Sequence, residues 1–70
     1  MRYENREMVS IVEAILKRNG FKIVEKRNVF ATKGEGKTFS RMVIIPRKGI
    51  IIANGVKESL EKYIHTYERL

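Results

Sequence analysis

Cysteine, aspartate, glutamine and tryptophan do not occur in this 70-residue chain, and proline and histidine occur once each. Without cysteine there is no disulfide, and with His65 as the only imidazole there is no structural zinc site of the usual Cys/His kind. No stretch approaches the roughly 18 consecutive apolar residues of a membrane span, and residues 1–6 lack the apolar h-region of a signal peptide. The expectation is a soluble, cytoplasmic chain with no membrane partner. A single domain of this size buries only about 60% of the surface that its unfolded chain exposes, so self-association or a very regular core must help to hold it. The missing Asp and Gln, beside abundant Ile, Lys, Arg and Glu, resemble the composition of heat-adapted, thermophile-like proteins.

What the chain has in excess is positive charge, a net +7, and it is unevenly placed. Residues 1–16 set Arg2 and Arg6 against Glu4, Glu7 and Glu13, and residues 49–70 set Lys57, Lys62 and Arg69 against Glu58, Glu61 and Glu68. The middle, residues 17–48, holds ten Lys and Arg against only Glu25 and Glu35, a net of +8. A charge that served solubility alone would be spread along the chain, so a localised basic surface is expected, suited to phosphate backbones.

Periodicity places the elements. Met8, Ile11, Val12, Ile15 and Leu16 recur at helical spacing over about Glu4 to Asn19. Asn19 and Gly20 then supply a left-handed stop, with Phe21 placed to fold back on Leu16. Phe21 to Lys33 reads as one strand bent by a bulge near Arg27 and Asn28, in preference to two short strands with a turn there. Gly34–Gly36 makes a loop and Thr38 to Ile45 the next strand. The Pro46–Gly49 turn and Ile50 to Ala53 complete a hairpin of two β-branched runs. Asn54 reads as the N-cap of a last helix, Val56 to Arg69, with Val56, Leu60, Tyr63, Ile64 and Tyr67 as its apolar stripe. The expected fold class is a two-layer α+β domain, αβββα: helix, three-stranded antiparallel meander, helix, with both helices on one sheet face. The hairpin runs are apolar at consecutive positions, so its second face also requires a cover, and a homodimer is the economical one. Strand register stays open, and a one-residue slip would exchange Arg41 and Met42 between faces.

Three motifs carry chemistry elsewhere. Ala31 to Thr38, ATKGEGKT, fits a relaxed P-loop pattern, in which backbone amides cradle phosphates and a Lys reaches them. Here a strand rather than a helix follows, there is no Asp for magnesium, and the chain is too short for the surrounding sheet, so a Gly-bracketed hairpin loop is the better reading. Glu35-Gly36-Lys37 matches half of a metal-dependent nuclease site, with Glu25 as the only other nearby carboxylate. The opening helix and the following Lys17-Arg18-Asn19-Gly20-Phe21-Lys22-Ile23-Val24 resemble archaeal Holliday-junction resolvases over about twenty residues. That family's aspartate on the next strand has no counterpart, and no catalytic residue is carried over. The expected element order also resembles double-stranded RNA-binding domains, but their Gly/Ser/Lys-Lys signature is replaced here by Asn54-Gly55-Val56-Lys57. His65 has no Ser, Cys or Asp partner implied by spacing and reads as a surface residue.

The expected function is therefore non-enzymatic: a small basic protein that binds nucleic acid, DNA or RNA, through its sheet and hairpin loops, with no cofactor or metal. Lys22, Lys26, Arg27, Lys33, Lys37, Arg41, Arg47 and Lys48 are the candidate phosphate contacts. Phe30 and Phe39 would stack on unpaired bases if they face outward, whereas the competing reading makes two or more of Phe21, Phe30 and Phe39 core. The alternative function is a dimeric interaction or regulatory module that docks through an exposed sheet face.

Overall fold

The structure is a computed structural model that describes residues 5–34 and 39–68. Helix α1 spans Asn5–Arg18, the strands are β1 (Lys22–Glu25), β2 (Val29–Lys33), β3 (Ser40–Ile45), β4 (Ile50–Ala53) and β5 (Val56–Ser59), and helix α2 spans Leu60–Glu68. All strand pairs are antiparallel, and sheet order follows chain order, β1-β2-β3-β4-β5.

The three-stranded αβββα expectation is overturned at two places. Phe21 to Lys33 is two strands rather than one bent strand, because the chain reverses at residues 26–28, where the Lys26 amide donates to the Asn28 carbonyl at 3.0 Å. Glu25 then pairs with Val29. The second place is Val56 to Ser59, expected as helix and found as a strand. Asn54 and Gly55 both have positive φ, 50° and 89°, which is the two-residue turn whose twist suits a tight hairpin. Asn54 is thus the corner of a hairpin and not a helix cap. Its side chain also extends the ladder: the Arg41 amide donates to Asn54 Oδ1, and the Asn54 amide donates to the Arg41 carbonyl, both at 3.0 Å. Ser59 caps α2 instead, its Oγ accepting from the Lys62 amide at 3.1 Å. Val56 leaves the expected apolar stripe and lies 67% exposed.

Helix α1 ends as its sequence requires. The Phe21 amide donates to the Leu16 carbonyl at 3.0 Å and the Gly20 amide to Lys17 at 3.1 Å, a Schellman closure around Gly20 at φ 87°. Val12, Leu16, Ile44, Ile51 and Leu60 are fully shielded from solvent. Met8, Val9, Ile15, Val29, Ala31, Tyr63 and Ile64 complete one core between the two helices and one face of the sheet. Burial of each Val, Leu, Ile or Met side chain in it stabilises the fold by about 1.5–3 kcal/mol. The side chains that alternate away from this core, Val24, Phe30, Val43, Ile45, Ile50 and Ile52, form the sheet's outer face, which neither helix covers.

Candidate nucleic-acid interface

An antiparallel meander puts alternate connections at the same end of the sheet. The β1–β2 loop, with Lys26 and Arg27, and the β3–β4 turn, with Arg47 and Lys48, therefore share one end, here called the loop end. All four side chains are exposed. Both helices also begin there. Asn5 Nδ2 donates to the Pro46 carbonyl at 2.8 Å, and the Leu60 amide donates to the Gly49 carbonyl at 2.9 Å, so the turn is clamped between the starts of α1 and α2. Gly49 permits this with φ 64°, and a Cβ at that position would stand 3.1 Å from Asn5 Oδ1. Two helix N-termini then add their partial positive charge to the same end.

Between α1, β1 and the turn runs an open groove of about 700 Å³ lined by Arg6, Lys26 and Arg47 together with Glu13 and Glu25. The two acids are not independent anions. Partial burial, followed by a hydrogen bond and charge repulsion from Glu25, pushes the Glu13 carboxyl up to about 7, against the smaller lowering effect of Lys17. Near neutral pH Glu13 therefore keeps its proton for much of the time, which leaves the groove more positive than a count of residues implies. Of the other described acids near this end, Glu7 is exposed in the first turn of α1, beside Arg6, and Glu58 and Glu61 belong to β5 and the first turn of α2, across the sheet from β1.

The outer face is organised in cross-strand rows. Its middle row is Val24, Phe30, Val43, Ile52 and Lys57, its row toward the loop end is Ile45, Ile50 and Ser59, and its row toward the opposite end is Lys22, Thr32 and Arg41. Among the described residues no carboxylate lies on this face, because Glu25 and Glu58 alternate to the helix side. Phe30 stands in the middle row, 37% exposed.

The sequence-predicted cations thus divide. Lys26, Arg27, Arg47 and Lys48 come together at the loop end, and Lys22 and Arg41 share a row of the outer face. Lys33 does not join them: it lies on the helix side of β2, with its Nζ 5.8 Å from the centre of the Phe21 ring. Lys37 lies outside the described residues, as do Glu35 of the half-nuclease motif and the second half of the P-loop-like run. Two cations were missed. Arg6 reaches the groove because α1 begins at the loop end, and Lys57 reaches the outer face because it belongs to a strand. The Asn54-Gly55 dipeptide was the signal that could have found Lys57.

Of the aromatic residues, Phe21 packs partly against the core, while Phe30 and Phe39 are exposed. Tyr63 is buried and Tyr67 lies at the rim, their ring centres 4.4 Å apart. Burial, then the neighbouring Tyr67 and Glu58, pushes the Tyr63 hydroxyl up to about 12, which keeps it neutral. His65 is exposed on α2. Among the described residues no three His, Cys, Asp or Glu side chains converge as metal ligands, and no helix is long and apolar enough to cross a membrane. Comparison of the chain with protein-family models, with curated proteins and with solved structures gives no match.

Proposed function

We propose that this protein is a non-enzymatic nucleic-acid-binding protein whose loop end holds the phosphate backbone. The observation that carries this reading is convergence: Arg6, Lys26, Arg27, Arg47 and Lys48, far apart in sequence, are gathered at one end of the sheet where both helices also begin. A polyanion meeting such a surface releases its condensed counterions, so binding gains entropy and depends steeply on salt. The rigid turn matters as well. Arg47 and Lys48 sit on backbone already fixed by Asn5 and Leu60, so little ordering is lost when they engage a phosphate.

The test is fluorescence anisotropy of labelled DNA and RNA at a series of salt concentrations. The double variant Arg47→Ala/Lys48→Ala is expected to weaken binding to every sequence and to flatten the log–log salt slope by about 1.4–1.8, the value for two phosphate contacts. An unchanged slope would remove the turn from the interface. A second reading, a homodimer that buries the outer face, is favoured by Val43, Ile45, Ile50 and Ile52, four neighbouring aliphatic side chains on that face.

A further inference from the structure

We infer that the outer face of the sheet is a site for single-stranded nucleic acid, where an unpaired base stacks on Phe30 and the adjoining phosphates lie on Lys22, Arg41 and Lys57. This rests on the nucleic-acid reading above and specifies which form of nucleic acid the protein takes.

Charge decides the occupant. The apolar centre of the face is bordered by cations on three sides: Lys22 and Arg41 in the row beyond Phe30, Lys57 at the end of Phe30's own row, and the basic loops past the loop end. No described carboxylate faces outward to answer them. A second copy laid on this face would gather two sets of like charges around one seam. A polynucleotide brings the opposite charge at every residue and supplies flat apolar bases for the centre.

Width decides the strandedness. Five strands spaced about 4.8 Å apart make a face roughly 19 Å across, wider than the ~12 Å major groove of a duplex. A face of that width cannot reach base edges within a groove, so bases that meet Phe30 must be unpaired. Phe30 is placed for this contact, since its neighbours along the row, Val24 and Val43, hold it on rigid backbone while more than a third of its surface stays open. One aromatic residue and several aliphatic ones imply tolerance of sequence, because every base has a π-face.

The experiment is anisotropy of single-stranded DNA and RNA and of the matched duplexes against wild type, Phe30→Leu and Phe30→Trp. Phe30→Leu keeps an apolar side chain on the face and removes only the ring, so the fold is retained, which circular dichroism checks. Single strands are expected to bind at least about 10-fold more tightly than duplexes. Phe30→Leu is expected to weaken single-strand binding by about 5- to 100-fold and Phe30→Trp to restore it, with duplex binding unchanged in both. Photocrosslinking of a bromouracil-containing strand should mark the peptide that carries Phe30. Equal binding of strand and duplex, with no effect of Phe30→Leu, would overturn the inference and leave the loop end as the whole interface. A dimer that persists in excess oligonucleotide and is broken by Phe30→Asp would overturn it in favour of a second copy. Absence of binding to all four nucleic acids would overturn both this inference and the function on which it rests.

Discussion

At the scale of single residues, Asn54 does three things at once. It accepts a left-handed backbone at φ 50°, its amide donates to Arg41, and its side-chain oxygen accepts from the same residue. Asn54→Ala keeps the backbone bond but strains the turn and leaves the exposed Arg41 amide to water, at an expected total of roughly 2 kcal/mol. Asn54→Gly relieves the strain and loses only the side-chain bond, so it should cost about half as much. Urea denaturation of the two variants separates the contributions. Asn-Gly is also among the strongest short signals of a hairpin, so this corner was legible. It was misread because Asn also favours helix N-caps, and the apolar residues Leu60, Tyr63, Ile64 and Tyr67 just beyond it drew the helix boundary four residues too early.

At the scale of elements, α1 was readable almost to its ends, because a five-residue apolar stripe and the Asn19-Gly20 stop point to the same boundaries. The strands were harder. Lys22–Glu25 and Val56–Ser59 are each four residues long and lie at the two edges of the sheet, where they bury little and leave almost no hydrophobic pattern. Short edge strands also limit unwanted pairing with other chains, and Lys22 and Lys57 on them reinforce that. Helix α2 is the element most dependent on its boundary, since nine residues are too few for a helix that stands alone. Ser59→Ala removes the oxygen that accepts from Lys62 and is expected to cost about 1 kcal/mol. Hydrogen exchange should show the loss first in the opening turn of α2, with β2 and β3 unaffected. The basic residues of the candidate site were legible as a surplus of charge. Their grouping at one end was not, because it follows from the number of strands.

At the scale of the whole molecule, stability should depend on pH through the contact between α1 and β1. Glu13 titrates near its ordinary value of 4.5 in the unfolded chain and near 7 in the folded one. Its contribution is therefore complete below pH 4.5 and lost as pH rises toward 7, where the second negative charge appears beside Glu25. The melting temperature is expected to fall between about pH 4.5 and pH 7, and Glu13→Gln should flatten that fall. Affinity for nucleic acid should decline as pH rises through about 7, where Glu13 ionises in the folded protein and offsets Arg6, Lys26 and Arg47 in the groove. A wild-type melting curve that does not respond to pH, or responds equally in Glu13→Gln, would remove the carboxyl pair from this account.

The strict β1-β2-β3-β4-β5 order has one further consequence, for the way the molecule assembles. Every strand pairs with the strand next to it in sequence, so the sheet can zip up from short loop closures without waiting for distant segments to meet. The packing of α1 against α2 joins the first and last described elements and is the long-range step. Folding should therefore be fast, with docking of the two helices as its closing event. In the folded protein that helix seam, and not the ladder of strands, is where the elements farthest apart in sequence meet.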